Sequence, residues 1–172
     1  PNKWWMEHTK GADIAIHECF LPSVLLVTKQ GFAPLEALNV GTQGHTSPEQ
    51  FGKVMSMTEP RLAVGYHFYN DFDTQPVVMR RVRKTYDGPL ALALDYMVFN
   101  VTKDDIRVRM SAVDEEIWPS PPMKKKRPPD TSKAISFSDF TKSGALAFPE
   151  IVGPIYDEIN ETYGTDYEPV FK

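Results

Sequence analysis

The sequence predicts an α/β domain, and three observations carry that expectation. Two short apolar runs, at 12–17 and 61–68, each reach a histidine, and the second gives way to a polar loop. Helix-start signals follow both runs, Ser47-Pro48-Glu49-Gln50 after the first and Thr74 with Pro76 after the second. Strands that alternate with helices favour a parallel sheet with helices laid against it.

In chain order, Asn2 is a side-chain cap for a short helix through Trp4, Trp5 and His8, which Gly11 ends. The run Ala12-Asp13-Ile14-Ala15-Ile16-His17 alternates as a buried strand does, and His17-Glu18-Cys19 falls at its C-terminal end. Open α/β sheets place ligand-contacting groups at that end of their strands. Residues 21–30 are apolar enough for a helix, whereas Gly31, Pro34, Gly41 and Gly44 predict an irregular, site-shaping loop up to His45. Ser47 as N-cap, Pro48 at the first helical position and Gln50 at the third predict a helix, and Phe51, Val54 and Met55 follow at helical spacing. After Pro60 the second strand runs to His67 and Phe68, ahead of the polar loop Asn70-Asp71-Phe72-Asp73. The next helix carries an apolar stripe at Val78 and Val82 and a wet basic side of Arg80, Arg81, Arg83 and Lys84. Runs 96–101 and 106–110 flank the turn Thr102-Lys103-Asp104-Asp105 and predict a hairpin.

From Trp118 to Asp130 five prolines surround Lys124-Lys125-Lys126-Arg127, the composition of an extended linker. Beyond it Ile151, Ile155 and Ile159 recur at helical spacing, with Gly153-Pro154 expected to bend the helix. The chain therefore divides into a domain over 1–115, a Pro/Lys-rich linker over 116–132, and an extension over 133–172 with a short helix.

Composition narrows the classes of function. With 172 residues, 41% of them hydrophobic, the chain has enough apolar surface for one core. A net charge of −4 gives no global field toward nucleic acid or anionic lipid. The single cysteine, Cys19, excludes an internal disulfide and a Cys-rich zinc site, leaving His and carboxylates as metal ligands. No apolar run approaches the roughly 18–20 residues that span a bilayer. The start at Pro1-Asn2, without an initiator Met, reads as a processed chain or one cut from a longer sequence.

Three positions collect side chains with chemistry: His17-Glu18 after the first strand, Gly44-His45-Thr46-Ser47 at a helix start, and His67 after the second strand. A carboxylate beside an imidazole fixes its tautomer and favours its protonated form, which makes a general acid near neutral pH. Glu18 and His45 suit that pairing. A neutral imidazole at a strand end also suits zinc, and His67 fits that role. Plainer readings exist for each: Glu18 as a loop cap, His17 as a hydrogen-bonded core group, His45 and His67 as structural residues, His8 as an exposed one. The Lys124–Arg127 run reads first as solvated linker.

The order of these segments resembles the C-terminal half of the metallo-β-lactamase superfamily, nearest its tRNase Z-like and arylsulfatase-like branch. His17-Glu18-Cys19-Phe20 is similar to that branch's "His-Glu-Ala-Thr" loop, and His45-Thr46-Ser47 to its "His-Ser-Thr" loop. The strand ending at His67 is similar to the one bearing the last metal ligand, and the resemblance covers about residues 1–113. It implies half of a four-layer αββα sandwich, completed by a preceding segment or a partner chain. It implies that Glu18 orients His45, that His45 protonates the leaving group, and that His67 is a metal ligand of a dinuclear site. That site would hold two zinc ions, with manganese or iron as alternatives. The branch's main metal motif, His-x-His-x-Asp-His, with a further His and a bridging Asp, is absent from this chain, so the resemblance assigns those ligands to the N-terminal half.

The function this implies is a metal-dependent hydrolase that cleaves a small-molecule ester-type bond, in a phosphate, sulfate, carboxylic ester or lactone, by metal-activated water. It would be active only together with the missing half. A non-catalytic association subunit of the same fold is the competing class, and an RNA-processing nuclease of the tRNase Z type is a further one. The expected partners are the N-terminal half of the fold, a small-molecule substrate and further copies of the chain in a homo-oligomer, with no membrane and no nucleic acid. A cytoplasmic location is favoured over a periplasmic one.

Overall fold

A computed structural model describes residues 1–111 and 137–169 of the chain. The mixed α/β architecture follows the predicted order. Helix α1 (Lys3–Thr9) starts where Asn2 Oδ1 accepts the Trp4 N–H at 3.0 Å. Strands β1 (Ile14–Glu18), β2 (Leu62–Tyr66) and β3 (Leu90–Leu92) form one parallel sheet in that order, with Ala15 opposite Ala63, Glu18 opposite Tyr66 and Val64 opposite Ala91. Between β1 and β2 lie α2 (Ser23–Gln30), α3 (Pro34–Asn39), a π-helical turn (Val40–Gly44) and α4 (Pro48–Thr58); α5 (Gln75–Val82) joins β2 to β3.

The sheet is covered on one face. Ala15, Ala63 and Leu92 meet Phe51 and Met55 of α4 and Val78 and Val82 of α5, all of them buried. Small residues on the strands and Gly52 on α4 let the helices come close. A Cβ added at Gly52 would lie 2.7 Å from the Val82 carbonyl oxygen, so Gly52 is fixed by helix approach. The other face is open in part: Ile16 is 54% exposed and Tyr66 48%. A separate antiparallel hairpin, β4 (Met97–Val101) with β5 (Ile106–Met110), closes on the predicted turn, where the Thr102 N–H donates to Asp105 O at 2.8 Å.

Four expectations need correction. The stretch before His45 is not an irregular loop but α3 followed by the π-helical turn. Pro34 sits in the first turn, where it costs nothing, and Gly41 lies against α2, where an added Cβ would stand 2.7 Å from Ser23 Oγ. Strand β3 was not expected at all, being three residues long. The extension carries two helices, α6 (Asp139–Gly144) and the 15-residue α7 (Pro149–Tyr163), in place of one short one. Its buried stripe is Val152, Ile155, Tyr156 and Ile159, packed on Leu38 of α3, and Ile151 is only partly buried. Helix α7 runs through Pro154, which lies in its second turn where one backbone bond is lost. Finally, Arg81 is not part of a wet face: its guanidinium bonds Glu49 of α4 at 3.0 Å and Glu158 of α7, tying three helices together. The linker over 116–132 lies outside the described residues. Among the described residues, no helix is long and apolar enough to cross a membrane.

Candidate functional site

The parallel sheet brings the ends of β1 and β2 side by side, and the capped start of α4 sits against them. Glu18 is the last residue of β1 and His67 the first after β2. His45 follows the π-helical turn, its N–H donating to Val40 O at 2.9 Å. π-Helical turns are rare and often sit at functional sites, because they re-aim the residue that leaves them. The next residues are locked by a capping box: the Gln50 N–H donates to Ser47 Oγ at 3.2 Å and the Ser47 N–H to Gln50 Oε1 at 3.0 Å. Thr46 O accepts the Phe20 N–H at 2.8 Å, which pins this segment to the chain leaving β1.

Glu18 gathers the site. Its Oε2 lies 2.9 Å from His45 Nδ1 and 3.4 Å from His67 Nδ1, and its Oε1 accepts the Thr46 N–H at 2.9 Å. A carboxylate only accepts, so each of these contacts requires the hydrogen on Nδ1 and leaves Nε2 of that ring free to act. Burial alone would raise the Glu18 carboxyl, but the hydrogen bond and charge of His45, with His67 and Thr46, outweigh it and hold it below the ordinary Glu range. The three residues singled out in the sequence thus meet at one place. Each offers one ligand atom, and these atoms lie within 4.8 Å of one another. His67 is half exposed, at the mouth of the cluster, and its backbone is left-handed, φ 73°.

Phe20 was not singled out. Its ring stacks on His45 at 4.0 Å between centroids and 21° between planes, and stands 5.1 Å from His67. His17 is the hydrogen-bonded group of the plainer reading, its Nδ1 2.8 Å from Glu18 O, with its ring edge-on to Trp5 at 4.7 Å. His8 is exposed and away from the cluster, bonded to Trp4 O at 2.7 Å. Cys19 takes no part: burial, with Glu49 and Glu18 adding to it, pushes its thiol well up, so it is a protonated core group.

The donor set is imidazole nitrogen and carboxylate oxygen, which suits zinc and neighbouring transition metals. Beside it, along β1, lies a cavity of about 460 Å³ in whose wall Glu18 and His45 stand.

No family model matches this chain, and no curated protein matches it either. Among solved structures it is similar to the metallo-β-lactamase fold protein YhfI from Bacillus subtilis, with a TM-score of 0.39 and 14% identity over 54% of this chain and 33% of that one. The chain spans about a third of that protein's length. At that level the likeness assigns neither an activity nor a branch of the superfamily.

Proposed function

We propose that this chain is the C-terminal portion of a metal-dependent hydrolase, with Glu18, His45 and His67 as its contribution to the active site. The observation that supports this best is the engagement of two imidazole Nδ1 atoms by one carboxylate oxygen, at 2.9 and 3.4 Å. That arrangement presents two Nε2 atoms in fixed tautomers, as carboxylate-backed histidines do at metal centres. His67, half exposed at the mouth, holds the metal through Nε2. His45, held in plane by the Phe20 stack, donates the Nε2 proton to the departing group, and Glu18 stabilises the charged ring before that transfer. When bound, a zinc-type ion supplies Lewis-acid polarisation and an ionisable water at neutral pH. The substrate is a small-molecule ester-type bond, since net charge −4 offers no polyanion clamp.

Three side chains fall short of a dinuclear set, so the remaining ligands come from the N-terminal half of the same fold, as a separate chain or a preceding segment. The exposed Ile16 and Tyr66 support association on the open sheet face. The mutual 4.8 Å spacing favours a second arrangement, in which Glu18, His45 and His67 together hold one ion within this chain. Metal quantitation on the chain, alone and co-expressed with the N-terminal half, tests both. His67→Ala is expected to remove one ion and abolish hydrolysis; unchanged stoichiometry sinks the ligand role. Loss of metal in His45→Ala favours the three-ligand arrangement over the proton donor.

A further inference from the structure

The cavity of about 460 Å³ beside the site has walls of two origins. The α/β domain gives Trp5 of α1, Ile16 and Glu18 of β1, and His45. The extension gives Thr141 and Lys142 of α6 and Leu146 from the stretch ahead of α7. Backbone contacts hold the extension in that place. Ala145 pairs with Asn2 in an antiparallel bridge, and Gly144 lies so close to α1 that a Cβ there would stand 2.7 Å from Trp4 Cδ1. Ser138 caps α6, its Oγ accepting the Thr141 N–H at 3.2 Å. The size falls among pockets of roughly 300–1,000 Å³ that take small molecules.

The polar groups of those walls are unevenly spent. The Glu18 carboxylate accepts from His45 and Thr46, the Thr42 hydroxyl donates to Leu38 O at 2.8 Å, and the Gln50 amide bonds both the Ser47 N–H and Thr42 O. Neutral groups remain available, the Tyr66 hydroxyl among them. Lys142 is the one ammonium side chain in the wall, and among the described residues its Nζ has neither an ion pair nor a hydrogen bond. An ammonium that no carboxylate of the fold takes up is matched best by an anion that a ligand brings. One ammonium balances one negative charge, and a second charge on the ligand would add repulsion from Glu18 in the same cavity. A carboxylate fits that balance, and Trp5, Ile16 and Leu146 offer apolar surface to the body that carries it.

We propose that the C-terminal extension is a substrate-recognition wall, in which Lys142 binds a carboxylate borne by the substrate outside the bond that breaks. That the cavity binds a carboxylate stands on its walls alone; that the bearer is the substrate rests on the hydrolase reading. Lys142 is then a specificity-determining residue and takes no part in the Glu18, His45 and His67 cluster.

The test is equilibrium binding of 2-naphthoate and 2-naphthamide to the full chain at neutral pH, by calorimetry. The two share a shape and differ by the charge. One charged contact at an open site predicts roughly five- to tenfold tighter binding of the naphthoate, a preference that shrinks as salt is added. Lys142→Gln is expected to bring the ratio close to one and Lys142→Arg to keep it; both should melt as the unaltered chain does, because Lys142 is exposed. Equal affinities for the unaltered chain, binding of neither probe, or a preference that survives in Lys142→Gln overturns the proposal. Turnover of 4-acetoxybenzoate and 4-acetoxybenzamide by the metal-loaded complex with the N-terminal half separates the two parts. Selective binding with turnover of neither ester supports the carboxylate site and overturns the substrate role. Turnover of both with equal kcat/KM, beside unselective binding, overturns the site and leaves the hydrolase reading intact.

Discussion

Two carboxylates near the ends of the parallel strands each collect several donors, yet they do opposite things. Asp71, in the loop after β2, is 2% exposed and receives Lys29 Nζ at 3.2 Å on both oxygens and the Thr74 N–H at 2.7 Å. Its partner Lys29 also bonds Asp73 and Thr74 Oγ1, so the ammonium is used up within the fold. Glu18 is 24% exposed, and two of its three donors are imidazoles that keep a second nitrogen unspent. A permanent cation locked against a buried acid braces a loop. Titratable donors around a half-open acid leave chemistry available at the surface. The difference lies in what the donors have left over, more than in how many there are.

The comparison can be broken most forcefully at Asp71. Asp71→Ala leaves Lys29 to Asp73 and strips the Thr74 N–H of its acceptor, and should lower the unfolding free energy by about 1–3 kcal/mol, the cost of unmaking buried polar contacts. Urea denaturation measures this, and a loss below about 1 kcal/mol would put the pair among surface bridges. Metal bound per folded chain should not change.

At Glu18 the pattern should invert. His45→Ala is expected to slow turnover by about a hundredfold with metal retained, Glu18→Gln nearly as much, and the double variant little more than either. Stability should move far less than in Asp71→Ala. Substrates with good leaving groups such as nitrophenolate should be less affected, since they depart without a proton. An equal penalty for all leaving groups would show that His45 positions substrate or binds metal.

The smallest effect is in the pH dependence. Glu18 has a depressed carboxyl pKa when folded, so its stabilising share is fully present above the ordinary Glu range and is lost as pH falls through the folded value. Urea midpoints measured from neutral pH downward should fall less in Glu18→Gln than in the unaltered chain, by under about 1 kcal/mol for so exposed a group. Asp71, held far lower still because the hydrogen bonds it accepts from Thr74 and Lys29 outweigh burial, should go on losing stability at more acid pH. Identical profiles for the unaltered chain and Glu18→Gln would remove Glu18 from the acid response.

What was legible in the sequence was whatever a few consecutive residues decide. The Asn2 cap, the Ser47–Gln50 capping box, the hairpin turn at 102–105 and the two strand ends all rest on local chemistry, and all are present. Glu18, His45 and His67 were legible as strand-end and helix-start positions, and parallel pairing of β1 with β2 then brings them together. The rest depends on tertiary neighbours. Gly41 signals a loop in any local reading, yet its partner is Ser23 on another helix. Arg81 looks solvated until Glu49 and Glu158 arrive from α4 and α7, and nothing in a phenylalanine after a strand announces a stack on His45. The shift of the α7 stripe from Ile151 to Val152 likewise follows from where Leu38 stands.

The left-handed backbone at His67 has a consequence for the economy of the fold. A side chain with a Cβ in that conformation is disfavoured by roughly 1–2 kcal/mol, whereas glycine adopts it freely. His67→Gly should therefore leave the melting temperature unchanged or raise it, although glycine elsewhere in a folded chain costs about 1 kcal/mol. The same variant has no imidazole. At this residue the requirements of folding and of chemistry point to different amino acids, and a chain optimised for heat alone would have no reason to keep the histidine.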